Sequence, residues 1–240
     1  SQGLIAGINA ARKLQGKEGI VIDRSQGYIG VLIDDLVTKE SHEPYRMMTS
    51  RAEYRLLLRQ DNADIRLTKI GYEVGLIDEE RYQKLLKKEE MIEKEIERVE
   101  HTNVGTTEAV QALLESYEST PLTSGTTLAE LIRRPELSYE KIAPIDKHRE
   151  ELPYDVKEQV DINIKYDGYI KRQMRQVEQF KKLENKRIPE NINYDEIQSL
   201  RLEAKQKLNQ IRPSSIGQAS RISGVSPADV SVLLVYLSSK

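Results

Sequence analysis

Cysteine and tryptophan are absent from the 240-residue sequence, and phenylalanine occurs only once. Without cysteine the chain can form no disulfide, offer no thiolate to a metal ion and provide no thiol nucleophile. Its three histidines, His42, His101 and His148, are too widely scattered to predict a zinc cluster. No stretch approaches the roughly 18 consecutive apolar residues of a membrane-spanning helix. These absences exclude thiol chemistry and argue against a zinc site and against a chain that crosses a membrane.

The sequence also lacks the common signatures of nucleotide binding and of catalysis. Neither G-x-G-x-x-G nor G-x-x-x-x-G-K-[ST] occurs, so the chain cannot build either of these phosphate-binding loops. The acidic pairs Asp34-Asp35 and Glu79-Glu80 are adjacent, which on a helix directs the two carboxylates about 100° apart. Such pairs are poor candidates for a catalytic dyad. The residues therefore indicate a binding and structural region rather than a complete active site.

Apolar residues recur at helical spacing along most of the chain, which predicts a mainly α fold. Glutamate, lysine, leucine and isoleucine are abundant and aromatic residues make up only 5%, a composition that favours helices over sheets. The helices predicted from these stripes and their caps cover about 1–11, 25–36, 50–59, 65–73, 79–100, 108–117, 128–133, 138–143, 156–188, 197–211, 215–222 and 227–237. A short strand is predicted at 19–23. Residues 160–164 also alternate as a strand would, but the longer pattern around them is helical.

Four arginines lie within fourteen positions of one another: Arg46, Arg51, Arg55 and Arg59. Ser50 and Glu53 match a capping box and predict a helix, on which Arg51, Arg55 and Arg59 would share one face. Four residues of helix rise about 6 Å, close to the spacing of nucleic-acid phosphates. Like charges at this spacing cost helix stability, so the row suggests an anionic partner. Internal salt bridges to Glu53, Asp61 and Asp64 explain the row equally well.

A second basic stretch runs from Lys171 to Arg187 and carries seven basic residues against two acidic ones. Contact with an RNA backbone needs positive charge but little sequence, so Lys171, Arg172 and Arg175 are candidate RNA-binding residues. A solvated helix face is the alternative, because mixed charges at helical spacing need no partner.

The tail from Ala219 to Leu237 imitates a helix-turn-helix, with Gly224 in the turn and apolar residues at the packing positions. Its second helix has no arginine, lysine, asparagine or glutamine with which to read base edges. We therefore expect a module that docks a partner or reads shape. The candidate partner-binding residues lie on the short helix before the turn: Gly217, Gln218, Ser220 and Arg221.

Several blocks of the sequence resemble the MnmG/GidA family. They are Gln2 to Ala10, Glu43 to Arg59, Asp61 to Asp64, Tyr166 to Ile170 and Pro213 to Val225. The block from Glu43 to Arg59 is the most distinctive, and the stretch from about Glu100 to Leu152 is the least. The resemblance extends over essentially the whole chain.

This resemblance implies a flavoenzyme that modifies the wobble uridine of certain tRNAs. Such enzymes act with the GTPase MnmE to add a (carboxymethyl)aminomethyl group at uridine C5, using FAD, NADH and a methylene-tetrahydrofolate carbon donor. Family members are homodimers and join MnmE in a larger complex. The first residue is serine, and neither a signal peptide nor a helix cap precedes the opening helical stripe, so we expect the C-terminal part of a longer cytoplasmic protein.

By this resemblance, residues 1–77 are the end of the flavin domain, including its last helix, together with the arginine-rich segment. Residues 78–152 are then an elongated helical middle region, and residues 153–240 are a C-terminal helical bundle. The four clustered arginines, with Lys171, Arg172 and Arg175, are expected to bind tRNA, and the residues before the tail turn are expected to bind MnmE. FAD and NADH serve the complete protein, and this chain is expected to bind neither alone. A helical DNA-binding or adaptor protein is the alternative.

Overall fold

The structure is a computed structural model that describes residues 1–39 and 44–238. The described residues form ten α-helices: α1 Gln2–Leu14, α2 Tyr28–Thr38, α3 Ala63–Glu73, α4 Glu79–His101, α5 Glu108–Ser116, α6 Leu128–Ile132, α7 Tyr154–Asn185, α8 Leu202–Ile211, α9 Ile216–Arg221 and α10 Pro227–Ser238. Two short strands, β1 Asn103–Val104 and β2 Thr126–Thr127, pair antiparallel. The mainly α prediction is therefore confirmed. His42 and Glu43, named in the sequence analysis, lie outside the described residues.

The chain divides into two compact units. One, here called the middle unit, is Arg59–Lys171, and the other, the discontinuous unit, combines Ser1–Leu58 with Arg172–Lys240. Among the described residues, no helix is both long enough and apolar enough to cross a membrane.

The middle unit is built around α4, whose start and length follow from the sequence. The Asp78 carboxylate accepts a hydrogen bond from the backbone N–H of Arg81 at 2.8 Å, which caps the helix as predicted. The buried stripe of α4, including Ile92 and Val99, packs into a core with Leu114 and Leu128. These apolar contacts stabilise the unit, since each fully buried leucine or valine contributes about 1.5–3 kcal/mol.

In the discontinuous unit, α8, α9 and α10 pack as a bundle around a second core that includes Leu208, Ile216 and Leu233. The Ser215 hydroxyl caps α9 by accepting from the N–H of Gln218, at the start of the helix predicted over 215–222. Gly224 adopts a left-handed backbone conformation (φ 96°) in the turn before α10, the conformation that glycine adopts most readily. Local sequence signals therefore define the ends of the tail helices.

Several predicted elements differ in the structure because side chains bind the backbone where regular structure was expected. The predicted strand at 19–23 is wrong: the Asn9 side chain accepts from the N–H of Ile20 and donates to its carbonyl, at 2.7 and 3.0 Å. Helix α2 begins at Tyr28 rather than at Ser25, since the Ser25 N–H and hydroxyl both bind Asp23.

Two more predicted helices differ from the structure. The helix predicted over 138–143 forms only turns that end in the 3₁₀ segment Ala143–Ile145. The helix predicted from Ile197 begins at Leu202, because Ile197 and Leu200 are buried in successive backbone turns before it. Tertiary burial, which local spacing does not encode, decided where α8 begins.

Candidate nucleic-acid interface

The arginine-rich segment is not the α-helix that its capping-box pattern predicts. A single 3₁₀ turn, Thr49–Arg51, is followed by a turn in which the N–H groups of Leu57 and Leu58 both donate to the Tyr54 carbonyl. The prediction of a helix over 50–59 is therefore wrong, and its arginines do not share a helix face. Glu53 binds an internal cation instead of closing a capping box, and the side chain of Tyr54 is buried.

That internal cation is Arg24, whose side chain is 2% exposed. It binds the arginine-rich segment from the buried side. Its guanidinium donates to three carboxylates, with distances of 2.9 Å to Asp34, 2.7 Å to Asp35 and 2.7 Å to Glu53. It also donates to the backbone carbonyl of Arg51 at 3.1 Å. The planar guanidinium presents five donors in a fixed geometry, so one arginine can fix both α2 and the arginine-rich segment.

Asp35 is the most deeply buried carboxylate of this cluster. Burial acts to raise its pKa, but hydrogen bonds from Lys39, Arg24 and Tyr45 outweigh burial and hold the pKa below its usual value. For Tyr45, which donates its hydroxyl to Asp35, burial and this hydrogen bond raise the pKa to about 12. Asp35 is thus a buried anion that anchors the start of the arginine-rich segment.

The structure places the four clustered arginines in different environments. Arg51 lies at the rim of the Asp35 cluster, with its guanidinium 4.5 Å from the centre of the Tyr45 ring and 3.7 Å from the Asp35 carboxylate. Arg59, in the middle unit, is largely covered and binds Asp61 at 3.0 Å. Arg46 and Arg55 are exposed and form no ion pair within the part of the chain that the structure describes. The internal-salt-bridge interpretation thus fits Arg59, and the two exposed residues leave their charges available.

The candidate basic residues of α7 also differ in whether they form ion pairs. Lys171, in the middle unit, is exposed and binds Asp167 one turn earlier, at 2.9 Å. Arg172 and Arg175, in the discontinuous unit, are exposed and have no ion pair with any residue in 1–39 or 44–238. Their charges are therefore available to an external anion.

The candidate partner-binding residues of α9 bind mostly within the chain. Gly217 is buried against the Glu184 carboxylate, and Arg221 binds both Asp34 and Glu184. The Gln218 side chain accepts from Ser214. Ser220 is exposed, but its hydroxyl donates to the carbonyl one turn earlier in α9.

Sequence reasoning missed Arg24 and the role of the Asp34-Asp35 pair. The available signal was two adjacent carboxylates in α2, which is otherwise almost entirely apolar. Buried carboxylates require a buried cation, so this pattern predicts an internal basic partner. It does not say which one, because ion pairs between distant residues leave no local pattern.

Two family models match most of the chain. Residues 79–174 match the tRNA modifying enzyme MnmG/GidA C-terminal helical domain, and residues 176–240 match the MnmG/GidA C-terminal helical bundle. The chain belongs to the MnmG/GidA family. Both models begin after the arginine-rich segment, so the Arg24 cluster lies N-terminal to the helical regions that define them.

Relatives of known name extend this match over nearly the whole chain. The tRNA uridine 5-carboxymethylaminomethyl modification enzyme MnmG of Lachnoclostridium phytofermentans is 70% identical over 99% of this chain and 38% of its own length. The enzyme of the same name from Caldicellulosiruptor saccharolyticus is 64% identical over the same shares. GidA of Aquifex aeolicus in its form II crystal superposes with a TM-score of 0.82 and 42% identity, covering 98% of this chain and 37% of that one.

This chain therefore spans about 38% of the length of the MnmG relatives that it matches. The family predicted from the sequence blocks is confirmed, and the alternative of a helical DNA-binding or adaptor protein is not favoured.

Proposed function

We propose that this chain supplies tRNA binding and partner docking to an enzyme of the MnmG/GidA family. That enzyme acts with the GTPase MnmE to add a (carboxymethyl)aminomethyl group at C5 of the wobble uridine. The observation that carries the tRNA-binding proposal is that four of the candidate arginines are exposed and form no ion pair among the described residues: Arg46, Arg55, Arg172 and Arg175.

These arginines are suited to phosphate contacts because the folded chain does not use their charges. The net charge is −2, so attraction to tRNA would come from local clusters rather than from the whole chain. Arg51 is also a candidate although its guanidinium lies 3.7 Å from the buried Asp35 carboxylate, because its side chain stays 39% exposed beside the Tyr45 ring. Such contacts bind the sugar–phosphate backbone and carry little base specificity. We retain Arg59 and Lys171 as weaker candidates, since carboxylates of the chain already neutralise them.

FAD, NADH and the carbon donor are proposed for the complete gene product. The residues of this chain do not fit a dinucleotide site, since the sequence has no glycine-rich phosphate loop. No catalytic step is therefore assigned to these residues. Helix α1 exposes Leu4, and no atom beyond the adjoining backbone of α1 lies within 4 Å of a Cβ built on Gly3 or Gly7. This open surface supports the proposal that α1 is the last helix of the flavin domain.

The wider organisation remains part of the same proposal. The three regions are residues 1–77, 78–152 and 153–240, in a homodimeric enzyme that works in the cytoplasm, where tRNA is modified. The carbon donor is a methylene-tetrahydrofolate. Family membership supports each of these properties, and no contact within this chain bears on them.

Replacing Arg55 by alanine in the complete gene product is expected to weaken tRNA binding about three- to tenfold at low salt. One lost phosphate contact should also lower the slope of log K against log salt by about 1. The melting temperature should not change, because Arg55 forms no ion pair within the described residues. Filter binding or fluorescence anisotropy over a salt series measures the affinity.

The matched control is Arg81→Ala, which removes the same charge from an exposed site on α4, outside both basic stretches. It should leave tRNA affinity within about twofold of the parent. Arg59→Ala should instead lower the melting temperature through the lost Asp61 pair, with a smaller loss of tRNA affinity than Arg55→Ala causes. Equal tRNA affinity for Arg55→Ala and Arg81→Ala would contradict the assignment of Arg55.

We further propose that the tail docks MnmE, with α10 as the main contact. The α10 sequence is apolar nearly all round: Val230 and Leu233 are buried in the bundle, while Val235 is 70% exposed. A helix that is apolar on every side is usually buried on every side. Val232, Val235 and Tyr236 line a groove of about 440 Å³ together with Ile197. Because the α9 candidates bind mostly within the chain, this face supports docking better than Gly217, Gln218, Ser220 and Arg221 do.

Val235→Glu in the complete gene product is expected to weaken the MnmE complex at least tenfold, because a carboxylate would have to be desolvated at the interface. FAD content and tRNA affinity should stay at parental values. The control is Leu202→Glu, which places the same charge on another exposed apolar residue of the bundle, outside the groove. Calorimetric titration with MnmE that gives the same affinity for both variants would exclude this face as the docking surface.

A further inference from the structure

The Asp34 carboxylate joins two arginines that are nearly 200 residues apart in the chain. Arg24 donates to it through Nη1 at 2.9 Å, and Arg221 donates through Nε and Nη2, both at 2.7 Å. The Asp34 side chain is 14% exposed, and that of Arg221 is 13% exposed. Charge-assisted hydrogen bonds in this partly buried setting are stronger than exposed surface pairs.

Each arginine extends the connection away from Asp34. Arg221 also binds Glu184 near the end of α7, at 2.5 Å, and so belongs to the tail bundle. Arg24 binds Glu53 and the carbonyl of Arg51, and so belongs to the arginine-rich segment. A continuous series of ion pairs therefore runs through Glu184, Arg221, Asp34, Arg24 and Glu53, all within the discontinuous unit.

We infer that Asp34 is a positioning residue that couples the tail bundle to the arginine-rich segment and so sets the affinity of that segment for polyanion phosphates. This inference rests on the proposed function, since it concerns the same arginines. If Arg221 loses its ion pair with Asp34, Arg24 is the remaining arginine bound to that carboxylate. The interaction of Arg24 with Asp34 then changes, and with it the hydrogen bond from Arg24 to the Arg51 carbonyl. In a medium of low dielectric constant such a change affects every member of a network.

Hydrogen–deuterium exchange of the whole chain tests the coupling without tRNA. Arg221→Lys and Asp34→Asn should each raise the exchange rate about tenfold at the hydrogen-bonded amides of the arginine-rich segment. Those amides belong to Arg51, Ala52, Leu57 and Leu58. The matched control is Arg201→Lys, which weakens another arginine–aspartate pair of the same bundle, with Asp229, and should leave these four amides unchanged.

The double variant Asp34→Asn with Arg221→Lys should exchange no faster at these amides than the faster single variant, because both act through one carboxylate. Unchanged amides in Arg221→Lys would overturn the inference. The inference would also be overturned if the increases in exchange rate multiplied in the double variant, because Asp34 and Arg221 would then act on these amides independently.

A second measurement uses tRNA affinity in the complete gene product. Asp34→Asn and Arg51→Ala together should cost less than the product of their separate fold losses, because Asp34 acts through Arg51. The fold losses of tRNA affinity caused by Asp34→Asn and Arg175→Ala should multiply when the two are combined, since Arg175 lies on α7 outside the network. If both pairs multiply, the inference fails. If neither Arg51→Ala nor Arg175→Ala changes tRNA affinity, the proposed function fails, and the exchange rates alone decide the coupling.

Discussion

Replacing Arg24 by methionine is expected to lower the free energy of unfolding of the discontinuous unit by about 3–5 kcal/mol. The loss leaves the buried carboxylate of Asp35 and the partly buried carboxylate of Asp34 without their shared cation. Removing one partner of a buried ion pair costs far more than an exposed pair contributes, because the remaining charge is still desolvated. Urea denaturation of the chain, followed by circular dichroism, measures the change.

Two further variants sharpen this prediction. Arg24→Lys keeps the charge but not the five-donor geometry, so it should lose less stability than Arg24→Met. In an Asp35→Asn background the cost of Arg24→Met should fall, since one buried charge is already neutral. A loss below about 1 kcal/mol for Arg24→Met, the range of an exposed pair, would contradict the structural role assigned to Arg24.

Replacing Gly30 by alanine is expected to destabilise the same unit by about 3 kcal/mol. A Cβ at position 30 would collide with the backbone carbonyl oxygens of Ile22 and Asp23, which are fixed by the turn that leads into α2. Backbone atoms cannot move aside as a flexible side chain can, so the substitution overpacks the turn. Urea denaturation again measures the loss.

Gly168→Ala is the matched control, because Gly168 also lies inside a helix but nothing beyond the adjoining backbone of that helix lies within 4 Å of the added Cβ. Here alanine should stabilise the chain by up to about 1 kcal/mol, since glycine is the poorer helix former. The two identical substitutions therefore have opposite expected signs. A loss of stability at both positions would show that the close approach at Gly30 is not what distinguishes them.

Local sequence signals predicted most of the helices. Asp78 starts α4 and Ser215 starts α9 because a short polar side chain can satisfy a free backbone N–H within its own segment. Val160 and Ile164 fit both a helical stripe and a strand-like alternation, and the structure has the helix. The helical pattern extends over many turns of the 32-residue α7, whereas the alternation covers only five residues.

The same kind of signal failed at Ser50 and Glu53. A capping box needs the glutamate to fold back on its own helix, and here that carboxylate binds Arg24. Arg24 is 29 residues away in sequence, so no window of local spacing contains both partners. The arginines were recognised as candidates, but the geometry that separates Arg55 from Arg59 depends on which carboxylates fold beside each of them.

The sequence alone determined the helical class, most helix starts and the family, because propensity, caps and long distinctive blocks are local properties of the chain. The tertiary structure alone decided which charges remain exposed. Arg55 stays exposed whereas Arg221 is covered, and this difference depends on pairing across long sequence separations, as in the Asp34–Arg221 ion pair. Such a pair forms only when folding has removed its water and placed the two groups within hydrogen-bonding distance.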